Sequence, residues 1–592
     1  MTIKLTSDIR HGGAIVPANT TVTYDPAVEA DLVARKSATY VGAPATTDLG
    51  VPAMVKQNLL TGRIKFSASG VDVPAAAYAL VEPQATPAEN VLAINAAIAA
   101  CYAAGGGIVE LSAGSFIVDG AIRPLPYVHL RGAGRRVTTV SMHPDVNPDQ
   151  TSATGGYPND ANIITIEPLQ MLGSNATRGA IRISDMTLDF GATAVMAGAY
   201  GAQWTTRLTT TAADNVGNCI TGRGLPGSYL DGVEIERCDV LNAGFHGIAI
   251  YVNARRVVIE RNYMSGNGYR GAHIHGDEGG QTVEELYTRY NELRANGQIA
   301  RTLADATAGN SGLFVVFHGA KTAHVIGNVV LDEPGVGIHA WGAAIGGQTE
   351  LSKSVLICNN IVERCGTGMQ IGNGVTGMQV SGNLVAGCKT AAEGAAFGML
   401  GRGMSFAGTH PSYGVAVMGN NIMDNSGTGL YVINGDGLTL SGNTVVRNCG
   451  TAESAGVVCS NIRHTAIASN TISDNGRIDT TGSINQLTIE ATVATTSTES
   501  AGTDDVLVSG NIITAGQRAN ASVVRCLLGG SAAAPYSRRI VITGNSIRRP
   551  KNPTGEVVTL GAQVSRVHGN RIEGTINDQM TPGSTNTVGA NF

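Results

Sequence analysis

Four of the chain's twelve histidines, His273, His275, His318 and His339, crowd into one stretch with one of its two tryptophans, Trp341. His273-x-His275-x-Asp277 has a spacing of two, and alternate residues of a β-strand share a face. Histidine moves protons near neutral pH, and aromatic rings such as Tyr251 and Trp341 offer flat apolar surfaces. The candidate proton-moving groups are therefore His273, His275, His339 and Tyr251, with Arg270 as a nearby cation. The candidate carboxylates are Asp277, Glu278, Asp332 and Glu333. Tyr251, Trp341, His318, Arg270, Gln370 and Tyr431 are candidate ligand contacts. His273, His275 and Asp277 could also bind a metal, but the spacing assures no third ligand, so neither metal nor other cofactor is expected.

These residues fall into register on glycine-led strands. Aligning Gly247-IAIYV, Gly271-AHIHGD, Gly312-LFVVFH, Gly337-IHAWG, Gly368-MQIGN, Gly403-MSFAG and Gly429-LYVIN gives apolar residues at the first and third places. Those must face a core, so the second and fourth places face outward. The outward set is Ala249/Tyr251, His273/His275, Phe314/Val316, His339/Trp341, Gln370/Gly372, Ser405/Ala407 and Tyr431/Ile433, and the sixth place adds Asn253, Asp277 and His318. An outer face bearing His, Tyr and Trp is unlike ordinary surface and fits a saccharide site.

The strands recur because the chain repeats. Strings such as IERNYMSGNG, ICNNIVERCG, VSGNLVAGC and LSGNTVVRNCG anchor on Asn262, Asn291, Asn328, Asn360, Asn383, Asn421, Asn443, Asn470, Asn511, Asn545 and Asn570. Cys238 and Asp185 hold the same place in weaker copies. The shortest intervals set a bare coil of about 22 to 25 residues, and longer ones carry loops. Each coil buries a face only by stacking on its neighbours, and asparagine suits the anchor because it tolerates left-handed backbone and bonds amides above and below. The expected fold is all-β, a right-handed parallel β-helix of about 12–13 coils. VEELYTRYNELR (283–294) also has helical periodicity but is read as a coil, because Asn291 and Asn296 copy the spacing of Asn262 and Asn267.

Composition agrees. Glycine is 78 of 592 residues, about twice the usual share, and charged residues are 14%. A net charge of −5 gives no sign of the basic stripe of a nucleic-acid binder, and no apolar run suffices for a membrane span. The first residues lack the pattern of a signal peptide. Nine cysteines show no CxxC; Cys365, Cys388 and Cys449, five or six residues after an anchor, read as stacked buried thiols.

Thr86-Pro87-Ala88-Glu89 reads as an N-cap, a first-turn proline and a capping box, opening a helix with Val91, Leu92, Asn95, Ile98 and Tyr102 on one stripe and Gly105-Gly106-Gly107 at its end. This helix would cap the solenoid. The stretch AINAAIAACYAAGGGIVELSAGSFIVDG through VHLRGAGRRVTTV (93–140) resembles the opening of β-helices in the pectate-lyase-like superfamily. ATPAEN replaces that family's Asp-rich turn. The GxG of LRGAG lies in no βαβ unit and is no nucleotide signal. Residues 1–45, with strands in IKLTSDI, TVTY and ATYV and a helix from Asp25 to Lys36, resemble small α+β attachment modules of phage structural proteins. Residues 46–85 read as a neck, 86–575 as the β-helix and 576–592 as a tail.

The resemblance implies a phage tailspike on the virion: a homotrimer, attached to tail or baseplate by its N-terminal module, that binds and depolymerises a host surface polysaccharide. Hydrolysis would need two carboxylates, about 5–5.5 Å apart for retention or 6.5–9.5 Å for inversion. Elimination would need a base, His or Tyr, and a cation such as Arg270. The residues leave these open, beside a non-catalytic glycan adhesin and a bacterial lyase or epimerase.

Overall fold

The computed structural model describes residues 77–149, 161–166, 179–209, 216–223, 229–275, 283–298, 311–316, 320, 322–341, 354–372, 374–390, 402–406, 412–449, 455–476, 485–490, 502–515, 523–526, 538–548, 556–560, 566–578 and 587–591, and short strands before residue 77. Three strands make one coil. His246–Tyr251, Ala254–Glu260 and Tyr263–Ser265 form one, and Arg270–His275, Val283–Arg289 and Glu292–Arg294 form the next. Each pairs in parallel with its counterpart: His246 lies opposite Arg270, Ala254 opposite Val283, and Tyr263 opposite Glu292. Residues 283–294 are thus strand, as the asparagine spacing requires.

The chain is a right-handed parallel β-helix, the hand that parallel crossovers adopt almost without exception. Its third strands alone form a 15-stranded sheet from Gly114–Val118 to Arg571–Glu573, more coils than the 12–13 expected. The early coils carry Phe116, Val140 and Leu188 in the core but no asparagine anchor, so a count of anchors passes over them.

The anchors form one continuous ladder. Each asparagine Nδ2 donates to the next Oδ1, from Asn262 to Asn291 (3.1 Å), through Asn360 to Asn383 (2.9 Å), to Asn570 and Asn591 (3.2 Å). Each Oδ1 also accepts a backbone N–H, as Asn383 does from Asn360, so every buried amide is satisfied along the stack. Where the sequence reads Asn420-Asn421, the ladder uses Asn420, not Asn421, whose side chain is exposed. The left-handed residue is the one before each anchor, such as Arg261, Gly382 and Gly419, and not the anchor itself. Asp185 is such a left-handed residue; Met186, not Asp185, stands opposite Cys238, which does take a ladder place by donating its N–H to Asn262.

The helix Pro87–Ala103 has its capping box: Thr86 Oγ1 accepts from Glu89 N (3.3 Å), and Glu89 accepts from Thr86 N (3.1 Å). It buries Ala93, Ile94, Ala97, Ile98 and Cys101 against the first strands, while Leu92 is 63% exposed. Val91, Ile98 and Tyr102 of the expected stripe pack on the core, and Leu92 departs from it.

Ile3–Leu5 pairs antiparallel with Thr21–Val22 and Ala38–Tyr40; the helix expected from Asp25 lies outside the described residues. Ala77–Val81, within the stretch read as a neck, pairs in parallel with Gly107–Leu111. At the other end Thr587–Val588 pairs with Arg566–His568, so rungs continue into the segment read as a tail. No helix among the described residues is long and apolar enough to cross a membrane.

Candidate functional site

The first strand of each coil carries the candidate residues. Its pairing puts Ala249, His273, Phe314, His339, Gln370, Ser405 and Tyr431 in one row across successive coils. Two residues farther along, the backbones of His275, Val316 and Trp341 pair in turn, and Tyr251 pairs with Arg223. The inward residues are buried throughout, from Ile248 and Ile250 to Leu430 and Val432. The backbones of His275 and Trp341 occupy their expected rungs, but their side chains lie outside the described residues, as do Asp277, Glu278 and His318.

The leading glycine breaks the simple alternation. A Cβ on Gly337 would overlap Val362 and sit 2.7 Å from Gly368 O and 3.0 Å from Cys365 Sγ, so the glycine turns into the interior. The residue before it therefore lies with the second residue after it on the side of the strand away from the core, although His246, Arg270 and His273 on that side are buried. This adds a row that alternation from the glycine hides: His246 opposite Arg270, Arg270 opposite Ser311, Ser311 opposite Val336, and Val336 opposite Thr367. His246 is the residue sequence reasoning missed, and its only signal is its place just before Gly247.

The two rows meet at His273. Its Nδ1 bonds the Tyr251 hydroxyl and lies 2.8 Å from Arg270 Nη1, which also reaches Nε2 at 3.0 Å. His246 Nε2 is 3.4 Å from the same Nδ1. A guanidinium only donates, so the His273 nitrogen that meets it presents a lone pair. The Tyr251 and His273 rings meet edge to face at 4.9 Å, and those of His246 and His273 at the same distance. Arg270 also lies over the Tyr269 ring at 4.7 Å, which stacks on Phe245. One cation–π contact, on a ring itself stacked, thus holds the guanidinium in place beside the imidazole.

The remaining candidates divide. His339 shares the row and, like His273 and His246, is buried; burial, aided by the charge of Arg270, pushes its imidazole down to about 3. It is neutral at ordinary pH and is no general acid there. Glu333, expected in a turn beside the site, is 1% exposed and lies inside the coil. It replaces an asparagine in a second ladder five residues after the anchors: Asn267 Nδ2 donates to Asn296 Oδ1 (2.7 Å), and Asn296 Nδ2 to Glu333 Oε1 (2.8 Å). Burial raises its carboxyl to about 8 against the pull of the Asn296 bonds. Asp332 is a left-handed turn residue doubly bonded by Arg364, whose guanidinium holds its carboxyl below the usual range. Neither carboxylate joins the His273 cluster.

The second ladder continues through Cys365 and Cys388, which hold the buried places expected of them; Cys388 N donates to Asn425 Oδ1. Asn448, not Cys449, takes the corresponding place farther on. None of the nine cysteines is in a disulfide. Among the described residues, no three His, Cys, Asp or Glu are grouped to hold a metal ion.

Farther along the same face, Gln370, Ser405 and Tyr431 follow on consecutive rungs. Arg402 lies over the Tyr431 ring at 3.8 Å.

A sequence family described as a right handed beta helix region matches residues 225–408. No curated protein matches the chain. Among solved structures, the A-module of mannuronan C-5 epimerase AlgE6 from Azotobacter vinelandii is 16% identical, over 84% of this chain and 95% of its own, with a TM-score of 0.32. The tailspike of E. coli bacteriophage HK620, in complex with a pentasaccharide, is 15% identical over 77% of this chain and 78% of its own, with a TM-score of 0.41. PfbA, a surface adhesin of Streptococcus pneumoniae, is 13% identical over 75% and 89%, with a TM-score of 0.39.

Proposed function

We propose that this β-helix binds an acidic cell-surface polysaccharide along its first-strand face and cleaves it by elimination at the His273 cluster. The observation that carries the reading is the convergence of Tyr251, Arg270 and His246 on one imidazole. Elimination from a uronate needs a base for the proton next to the carboxylate and a cation to neutralise that carboxylate. Tyr251, at the edge of the cluster, passes the proton to His273, and Arg270 faces the carboxylate. The electron pair forms a carbon–carbon double bond, the glycosidic C–O bond on the next carbon breaks, and the leaving oxygen takes its proton from the same Tyr–His pair. Of the carboxylates that hydrolysis could use, Glu333 and Asp332 are committed elsewhere, and Asp277 and Glu278 lie outside the described residues.

The resemblance of residues 1–45 to attachment modules of phage structural proteins, ahead of a β-helix, supports placing this activity in a phage tailspike. In that setting the chain is a homotrimer, residues 1–45 attach it to the tail, and host polysaccharide is met outside the cell.

Digestion of host capsule, O-antigen and exopolysaccharide tests the reading. Cleavage is expected to yield the absorbance of unsaturated uronates, and His273→Ala to abolish it while the protein stays folded. New reducing ends without that absorbance would establish hydrolysis. Glycan binding without either product would establish an adhesin.

A further inference from the structure

The left-handed residue before the anchor is small or an amide on most rungs: Gly327, Asn359, Gly382, Gly419 and Gly442 stand there in turn. Before Asn291 it is Tyr290, with φ 56°. A bulky side chain at that backbone conformation is strained, and the ladder needs only a residue that tolerates it. The Tyr290 ring is 54% exposed. It is also seated: its Cδ1–Cε1 edge lies against Gly327 of the next rung, where a Cβ would come within 2.6 and 2.7 Å of those atoms. One edge is thus fixed while more than half of the side chain stays in water.

The strand that ends just before Tyr290 brings polar groups to the same corner. Val283–Arg289 carries Tyr287 and Arg289 on its outer side, opposite His324 and Ile326 of the next rung. Tyr287 is the hub. Arg289 lies over its ring at 5.0 Å, and the His324 ring meets it edge to face at 5.0 Å. Arg289 Nη2 is 2.8 Å from Glu260 Oε2, and its Nη1 has no partner among the described residues. His324 is half-buried, yet neither ring nitrogen is hydrogen-bonded among the described residues. Burial and the charge of Arg289 lower its pKa, so the imidazole is neutral near pH 7 and offers one donor and one acceptor.

We propose that Tyr290, Arg289 and His324 form a second saccharide-binding station, on the second-strand side of the coils whose first strands carry His273. It takes one pyranose of the polysaccharide, whose C–H face stacks on the Tyr290 ring while its hydroxyls meet Arg289 and His324. This rests on the reading of the chain as a polysaccharide binder. A sugar pairs an apolar ring face with hydroxyls at its rim, which is the pattern of a flat ring beside fixed polar groups. The core of a protein interface is depleted of charge, whereas Tyr290 is bordered by exposed Arg261, Glu292 and Asn359.

Asparagine tolerates left-handed backbone, as Asn359 does two rungs on, so Tyr290→Asn removes the ring and its strain together. Retention of the full chain on arrayed capsule, O-antigen and exopolysaccharide is measured for the wild type and three variants. The wild type is expected to be retained, and Tyr290→Asn to be held about fivefold more weakly with equal or higher thermal melting. Tyr290→Phe should keep most of the binding. His324→Phe keeps a ring packed on Tyr287 but removes both nitrogens, and should weaken retention about threefold. Wild-type retention that is unchanged in Tyr290→Asn would overturn the station and leave the polysaccharide reading standing. Lower melting of Tyr290→Asn would assign the ring to holding the turn, and a changed sedimentation rate would assign it to a contact between copies; either overturns the station. Retention of the wild type on no polysaccharide would overturn both readings.

Discussion

Glu333→Gln is expected to stabilise the β-helix increasingly as pH rises from about 4.5 to about 8, and to leave it unchanged below that range. The carboxyl sits where the second ladder otherwise has an amide, accepting from Asn296 N (2.9 Å) and Asn296 Nδ2 (2.8 Å). The chain itself contains the replacement: Gln486 accepts from both Asn475 N (3.1 Å) and Nδ2 (2.9 Å) through its one Oε1, where Glu333 uses one oxygen for each bond. Glutamine therefore fits this kind of rung and keeps both bonds, but cannot ionise.

The magnitude follows from linkage. Folding raises the carboxyl from 4.5 to about 8, so the folded state favours the protonated form. Stability from this group is fully present below its unfolded value and is lost progressively as pH rises toward about 8. At roughly 1.4 kcal/mol per unit, the full loss is about 5 kcal/mol and most of it has occurred at pH 7. Hydrogen exchange at the Asn296 amide, which Glu333 accepts directly, reads the local opening. Between about pH 5 and about pH 9 the wild type should lose protection while Glu333→Gln holds it, once the intrinsic exchange rate is removed. Parallel profiles for the two proteins would refute the reasoning, because any other titrating group affects both alike.

Two further outcomes follow. Asn443→Ala removes the acceptor of Asn420 N and Nδ2 and the donor to Val417 O, and should cost about 2–4 kcal/mol, read as a lower denaturant midpoint with unchanged cleavage chemistry. His339→Gln should leave the pH profile of cleavage unshifted between about pH 5 and about pH 9, because burial holds that imidazole neutral throughout; a displaced limb would return His339 to the proton-transfer steps.

The fold was legible because its determinants repeat. One asparagine bond carries little information, but a spacing copied through Asn360, Asn383 and Asn443 marks a solenoid and its inward residues. The coils before Cys238 were less legible, since valine and leucine can fill a core without declaring a period. The Asn420–Asn421 ambiguity had a local cause: both residues are asparagine, and only the left-handed Gly419 identifies which one enters the stack. Glu333 escaped for a related reason. A carboxylate in a turn reads as solvated, whereas its place five residues after Asn328, the place of Asn267 and Asn296, is what assigns it to the interior.

The site itself turned on one backbone feature. Strict alternation from Gly247 and Gly271 gives an outward row of Ala249 and His273 and leaves His246 unassigned. Because the ladder side chains crowd the glycine from within, as Asn267 does Gly247, no Cβ fits there, and glycine and its successor both face the core. The chain then presents two outward side chains three residues apart, His246 with Ala249 and Arg270 with His273. That spacing brings a guanidinium onto an imidazole of the same strand and lets the preceding strand add a second imidazole and a phenol. The same glycines recur at Gly368 and Gly403, so the rungs that carry Arg402 and Ser405 inherit this arrangement, and the packing need of the interior determines where chemistry can be placed outside.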